Sequence, residues 1–329
     1  MLAIACSGGG QGGPTATPSG PPDDIFVVPF PTTTSALAAL PVGYRVDVLL
    51  DGLLQPAALS APPDGRIFIA EQTTGRVRVF QDGRLLEEPW AEIDVGLAPE
   101  EFLQELGLVG LAVDPRFAEN GYVYLYYSQR QPDGSGRVVF ARLRDENGHG
   151  VEPAELFTLE ALPERSHISG GIAFDGDDAI LVSIGDFETP GEASLLASPF
   201  GAVIRIDRDG NAPPDNPFVN DLQTDPRIFA YGLRNPFGVA VDRVTGEKYI
   251  TENRDVAGDA VYRLEAGMGY GWPEYRVALR EPLAIYQQPM GLSGITVYRG
   301  DALPELQGSV FFCHFHRGGG LHWMDTGVL

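Results

Sequence analysis

Five times along the chain the same unit recurs. An apolar strand runs into an Asp- or Gly-bearing turn, followed by a second strand of aromatic and β-branched residues, a loop and a third strand. The first copy spans Ala57 to Phe80 and turns at Pro63-Asp64-Gly65 before Ile67-Phe68-Ile69-Ala70 and Val77-Arg78-Val79-Phe80. The second spans Val109 to Leu143, turning at Asp114-Pro115 before the aromatic run Tyr122 to Tyr127 and Val138-Val139-Phe140. The third begins at Ile172 and ends with Val203-Ile204-Arg205-Ile206. The fourth spans Gly238 to Leu264 and turns between Asp242 and Gly246; the fifth starts at Gly294 and carries Val310-Phe311-Phe312. The turns at Asp64, Asp114, Asp175, Asp242 and Gly308 are several tens of residues apart. A unit of three or four strands at that period is the mark of a β-propeller. A β-sandwich is the alternative, but its strands would not recur as one unit with one internal turn. The 41 glycines and 27 prolines supply the turns that such a chain needs.

Tyr44 to Leu50 alternates roughly with period two and has no strand partners near it in sequence. Propellers commonly close when a terminal strand joins the blade formed by the other end of the chain. This strand is therefore expected beside the fifth or final blade. On that basis the fold is all-β, a six-bladed propeller over residues 24–329, its last blade incomplete in a chain truncated at the C-terminus.

The balance of 23 basic against 45 acidic residues gives a net charge of −22. Such a chain repels nucleic-acid phosphates and suits a soluble exported protein, with calcium as a conceivable ligand. No apolar run is long enough to cross a bilayer. The two cysteines, Cys6 and Cys313, lie at opposite ends and do not form a disulfide framework. Leu2-Ala3-Ile4-Ala5-Cys6 resembles the end of a bacterial lipoprotein signal, which makes Cys6 the lipidation site and residues 7–23 a flexible tether. The expected location is thus the periplasm or cell surface of a bacterium, with the membrane touched only through the lipid. Cys313, in an apolar strand, reads as a packed small hydrophobe.

The chemistry centres on Arg165 to Asp186. A histidine precedes the strand Ile172-Ala173-Phe174, Gly170-Gly171 lets the backbone approach something bulky, and Gly185-Asp186 closes the strand Ile180 to Ile184. One imidazole and one carboxylate thus fall at the ends of neighbouring strands, where a β scaffold usually carries chemistry. A lone histidine is more often a loop hydrogen-bonder than a base. Other stretches tip the balance: Gly107 to Phe117 with Asn120-Gly121-Tyr122, Glu71 with Gly75-Arg76-Val77, and Asp215-Asn216-Pro217-Phe218. Tyr231-Gly232-Leu233-Arg234-Asn235-Pro236 and Gly269-Tyr270-Gly271-Trp272-Pro273 follow in order.

Together these motifs resemble the glucose/sorbosone dehydrogenase family, soluble sugar dehydrogenases that use pyrroloquinoline quinone (PQQ) on a six-bladed propeller. The resemblance covers about Tyr44 to Asp325. It implies oxidation of an aldose at its anomeric C–OH, with electrons passed on to an external acceptor. Within it His167 is the general base, because imidazole titrates near neutrality and can take a hydroxyl proton. Asp186 orients its ring, and Arg234 stabilises negative charge on the quinone oxygens. Glu105, Arg234, Asn235, His316 and Arg317 are the implied cofactor-side positions, Glu105 standing where sugar-oxidising members often carry glutamine. Calcium would be held near Thr251 to Asp259 by Glu252, Asp259 and carbonyl oxygens. Here Asn253-Arg254-Asp255 replaces the family's glycine-containing turn and Ala260 its usual acid.

His314, His316 and His322 also invite a metal reading, since H-x-H on a strand places both rings on one face, with Asp325 as a further donor. Blade packing or cofactor contact is the preferred role for them. Trp272 reads as core. Two functional alternatives remain: a non-catalytic carbohydrate- or protein-binding propeller, and a calcium-dependent lactonase on a similar fold. The lactonase would need several carboxylates around a central ion, and only Asp186 is evident.

Overall fold

The structure is a computed structural model that describes residues 25–29, 44, 47–95, 105–131, 133–161, 166–255, 258–274, 280–316 and 319–325. Strand β1 (Ile25–Pro29) precedes a first sheet of β2 (Pro56–Ser60), β3 (Ile67–Glu71) and β4 (Arg76–Gln81), with β5 (Arg84–Leu85) and β6 (Ala91–Glu92) on the edge of β4. The second sheet holds β7 (Leu108–Val113), β8 (Tyr122–Arg130), β9 (Gly136–Glu146) and β10 (His149–Ala161). The third holds β11 (Ser169–Asp175), β12 (Ala179–Ile184), β13 (Ala202–Ile206) and β14 (Ile228–Ala230). The fourth holds β15 (Gly238–Val241), β16 (Lys248–Glu252), β17 (Ala260–Arg263) and β18 (Ala284–Ile285). In the fifth, β19 (Leu292–Val297), β20 (Val310–His314) and β21 (Gly320–Met324) are joined by β1. Among the described residues helix is confined to single turns, and no helix is long and apolar enough to cross a membrane.

The propeller expectation holds, but its blade count is corrected: the described residues form five sheets, not six. The sixth blade was required to receive an N-terminal strand, and that strand instead completes the fifth sheet. It is β1, paired antiparallel with β21 from Ile25 opposite Met324 to Pro29 opposite Gly320. Of the expected Tyr44–Leu50 strand, residues 44 and 47–50 carry no strand, Val48 and Leu49 are exposed, and Arg45 and Val46 lie outside the described residues. Among the described residues its alternation therefore has no sheet to face. Tyr44 nonetheless packs where closure was expected, its hydroxyl donating to Glu305 at 2.8 Å and its ring 6.4 Å from Trp323 of the fifth sheet.

The innermost strands β2, β7, β11, β15 and β19 line a central channel, and their glycines set the spacing. A Cβ on Gly110 would strike the Gly170 carbonyl oxygen; one on Gly171 would lie 2.7 Å from that of Phe237; one on Gly238 would strike that of Ser293. Three of the inner strands, β7, β11 and β15, therefore need a glycine where the neighbour's backbone passes. At Gly294, the corresponding residue of β19, nothing described lies within 4 Å. Nor does β19 pack against β2 as the consecutive pairs do, so the described sheets form a fan open between the fifth and the first.

Between sheets the alternation of each middle strand divides the core. In β8, Val123, Leu125 and Tyr127 face the first sheet's Phe68 and Val77, while Tyr124 and Tyr126 face the third sheet's Ile180 and Ile184. Both faces are buried, because every residue of a middle strand meets one neighbouring blade or the other.

At the turn end of the channel a cation ties each sheet to the next. Arg66 reaches Asp145 at 3.1 Å, Arg208 reaches Asp114 at 2.7 Å, Lys248 reaches Asp175 at 2.8 Å and Arg299 reaches Asp242 at 2.8 Å. Burial alone would push the Asp114 carboxyl up, but the Arg208 fork and the Arg116 N–H hold it below its ordinary value. The Arg299 guanidinium keeps that of Asp242 well below the carboxylate range. Because the Asp114 side chain is fully buried, Arg208→Ala strands a charge and should cost about 3–5 kcal/mol in denaturant unfolding. Adding Asp114→Asn to that variant should recover part of the loss.

Candidate active site

Every inner strand runs from one end of the channel toward the turn end, and the second strand of each sheet returns. Residues just before inner strands therefore meet residues that close second strands. Glu105, His167 and Asn235 precede β7, β11 and β15, while Asp186 and Asn253 follow β12 and β16, whose last residue is Glu252. The chemistry collects at this end and the ionic ties at the other.

His167 and Ser169 both adopt left-handed backbone, with φ of +59° and +60°, which ordinary residues avoid. A closed set of hydrogen bonds holds them there. Glu105 Oε2 accepts from the His167 N–H and from Asn235 Nδ2, each at 2.9 Å, and Asn235 Oδ1 accepts from the Ser169 hydroxyl at 2.8 Å. Tyr126 donates to the Ile168 carbonyl at 2.9 Å, and Gly185 leaves room for the His167 carbonyl, on which a Cβ would fall. Backbone strain of this kind persists only where the surroundings over-determine it.

The held imidazole faces a buried carboxylate. His167 Nδ1 lies 2.8 Å from Asp186 Oδ1, and that oxygen also accepts from the Glu188 N–H at 3.0 Å. Asp186 Oδ2 accepts from the indole N–H of Trp272 at 2.9 Å. A carboxylate so supplied with donors is an acceptor toward the ring, which assigns the proton to Nδ1. Nε2 is left with its lone pair and no protein partner among the described residues.

Arg234 sits beside this pair. Its carbonyl accepts from the Asp186 N–H at 2.7 Å, its own N–H donates to Glu252 Oε1 at 2.6 Å, and its guanidinium lies 5.7 Å from the Trp272 ring centroid. One guanidinium N–H reaches the Asn253 carbonyl at 3.1 Å. Among the described residues Arg234 forms no ion pair, in a chain of net charge −22. A guanidinium with no ion pair among the described residues, beside an imidazole, suits an anionic group such as a carboxylate-bearing quinone.

Of the expected calcium ligands, Asp259 is engaged by backbone N–H groups, whereas Glu252 keeps one buried oxygen, Oε2, without a hydrogen-bond partner among the described residues. Asp259 Oδ1 accepts from the Arg254 N–H, and Oδ2 from the N–H groups of Met290 and Gly291, at 3.1, 2.6 and 2.8 Å. It is a fastener between the fourth and fifth sheets. Glu252 gives one oxygen to the Arg234 N–H, and burial pushes its carboxyl up to about 8 despite the nearby Arg234 and Arg254 charges. Among the described residues no cluster of His, Cys, Asp and Glu forms a metal shell.

The histidines of the fifth sheet separate. Strand β20 ends at His314, so His316 lies past it, exposed, its N–H on the Met290 carbonyl at 3.1 Å. The structure does not bring His316 to the His167 dyad, and Arg317 and Cys6 lie outside the described residues. His314 instead meets His322 at 2.6 Å, and His322 meets the Tyr286 hydroxyl at 3.0 Å, all buried between sheets. Burial, with His314 adding to it, drives the His322 imidazole down to about 3, so His322 packs neutral. Cys313 is buried, as its strand suggested.

A cavity of about 480 Å³ fills the channel along the inner strands, touching Gly110, Gly170, Phe237 and Gly294. It is lined by none of His167, Asp186, Arg234 or Trp272, and we place the chemistry at the dyad because the titratable groups converge there. Sequence reasoning missed Ser169 and Trp272. Nothing marks a buried tryptophan or a strand-start serine as a site residue until its partners are known.

A propeller that presents a histidine–carboxylate pair and an unpaired arginine at one end of its channel has the makings of an oxidoreductase site. The chain belongs to the glucose/sorbosone dehydrogenase family, whose model matches residues 53–322. It is similar to the aldose sugar dehydrogenase YliI of Escherichia coli, 27% identical over 309 residues that span 87% of this chain and 82% of that one. The quinoprotein glucose dehydrogenase B of Acinetobacter calcoaceticus is 26% identical over 272 residues, 74% of this chain and 55% of that one. The crystal structure of the soluble aldose sugar dehydrogenase from Escherichia coli in the apo-form superposes with a TM-score of 0.71 at 25% identity, over 82% of this chain and 83% of that one.

Glu252 makes one prediction independent of function. Its folded value, about 8, stands above the ordinary 4.5, so ionising it is harder in the folded protein. Stability is therefore lost as pH rises across that interval. Glu252→Gln keeps the acceptor for Arg234 and removes the titration. Its melting temperature should match the wild type near pH 4 and exceed it by on the order of 5 °C at pH 8.

Proposed function

We propose that this protein oxidises an aldose at its anomeric C–OH with PQQ as the oxidant. One observation carries the reading: His167 Nε2, with Asp186 behind the ring, has no protein partner among the described residues and lies on the same loop cluster as the Arg234 guanidinium, which forms no ion pair among them. Family membership and the names of the relatives support the class of reaction. When bound, the quinone supplies the acceptor for the hydride that leaves the anomeric carbon.

The chain's own residues supply the rest. His167 Nε2 takes the hydroxyl proton as the carbon–hydrogen bond breaks, leaving the lactone as the oxidised sugar. Asp186 is a buried anion and stabilises the imidazolium that results. Arg234 is held by Glu252 through its backbone and by Trp272 at its guanidinium, and favours negative charge at the cofactor side of the site. The Glu105–Asn235–Ser169 ring keeps the strained His167 segment in register, a positioning role for two residues first assigned to cofactor contact. No step of this scheme is routed through calcium: backbone N–H groups engage both oxygens of Asp259, while Glu252 Oε2 is buried without a hydrogen-bond partner among the described residues.

The carboxylate at Glu105, where an amide was expected, and the open sector of the fan favour one second reading: a sugar- or protein-binding propeller without turnover. Reconstitution with PQQ followed by dye reduction with a panel of aldoses separates the two. The wild type should reduce dye, and His167→Ala should lose about 10²–10⁴-fold in turnover while still binding quinone. Arg234→Ala should lose both turnover and quinone affinity. A wild type that binds no quinone returns the binding reading. We further propose export with lipidation at Cys6, to be checked by mass spectrometry of the protein from its native host; an unmodified Cys6 on the mature chain would exclude the anchor.

A further inference from the structure

We propose that Trp272 is a positioning residue that sets the proton affinity of the His167–Asp186 pair and ties that pair to Arg234. The inference deepens the proposed function and rests on His167 as the base, although half of its test does not.

Trp272 follows β17 in a loop bound to the Arg234 loop by backbone. The Tyr270 N–H donates to the Tyr231 carbonyl and the Trp272 N–H to the Gly232 carbonyl, each at 2.9 Å. This clasp aims the indole between the two loops. Its N–H reaches Asp186 Oδ2 at 2.9 Å, while Oδ1 holds the His167 ring at 2.8 Å. The face of the same ring carries the Arg234 guanidinium at 5.7 Å. One buried side chain thus touches the carboxylate behind the base and the cation beside it.

An indole N–H is a donor that never titrates, and in a desolvated site its bond to a carboxylate is charge-assisted. It draws negative charge toward Oδ2 and so loosens the grip of Oδ1 on an imidazolium. Without that donor, Oδ1 would hold the protonated ring more tightly and His167 would keep its proton to higher pH. Phenylalanine keeps a ring face under Arg234 and lacks the N–H; leucine lacks both.

The test begins with NMR on the full chain without quinone or sugar. Among the three tryptophan indoles and five histidines of the sequence, one indole N–H should follow the titration of the ring that disappears in His167→Ala, and should cease to follow it in that variant. If no indole does, the inference is overturned, and no mutant at Trp272 is needed to learn it. In Trp272→Phe the His167 midpoint should move up by about one pH unit, the scale of one hydrogen bond to a charged group. The acid limb of kcat/KM should move with it while quinone affinity stays; Trp272→Leu should also weaken quinone binding. In an Asp186→Asn background Trp272→Phe should produce no further shift. An unmoved midpoint in Trp272→Phe overturns the inference. NMR shifts as expected in a protein that oxidises no aldose would instead overturn the proposed function and leave this coupling standing.

Discussion

The inner strands of this propeller pack so closely that a neighbour's carbonyl occupies the space a Cβ would take, and the rest of the structure depends on that approach. It demands glycine at Gly110, Gly171 and Gly238. It also radiates the sheets from one axis, so that successive blades share hydrophobic interfaces on both faces. A larger residue at these positions would push two blades apart along their whole length, because closely packed interiors transmit local strain. The same rule shows where the described fan ends, since Gly294 meets no neighbour.

Radial packing gives the molecule two unlike ends. The acidic turns that lead from inner to second strands fall at one end, where Asp114, Asp175 and Asp242 each accept a cation from the adjoining blade. These buried pairs fix how blades meet more than they add to stability, since desolvation offsets much of their attraction. Freed of that task, the other end can carry strain. His167 and Ser169 hold unfavourable backbone there, and Glu252 holds a proton that a solvated carboxyl would lose. Strained and desolvated groups at one rim of a well-tied scaffold are what a reactive site requires.

Within the site, order comes from acceptors with several donors. Asp186 receives bonds from a ring, an indole and a backbone N–H; Glu105 receives two; Asp259 receives three from backbone. Each joins loops from different blades. The distinction among them is chemical: Asp186 acts on a titratable ring, whereas Asp259 only fastens backbone and so has no oxygen to offer an ion.

The sequence by itself determined the repeating unit, the all-β class and the placement of His167 and Asp186 at strand ends; Arg234 reads as a turn residue until the family resemblance gives it a role. Period-two alternation and Asp/Gly turns are local properties that one strand and its neighbour express without help from the rest of the chain. Only the tertiary structure decided how many sheets form, which segment closes the fifth, and what each polar side chain touches. Ile25–Pro29 is a short run without alternation, and it is a strand because β21 offers an edge; Tyr44–Leu50 alternates, and its described residues form no strand. Asp259 has the composition of a cation ligand, and only the backbone N–H groups of Arg254, Met290 and Gly291 reveal that both its oxygens are engaged. Trp272 reads as core until folding brings Asp186, far away in the chain, to its indole N–H. Pairings across blades depend on distances that local sequence does not encode, and for that reason the class of fold was legible and the wiring of the site was not.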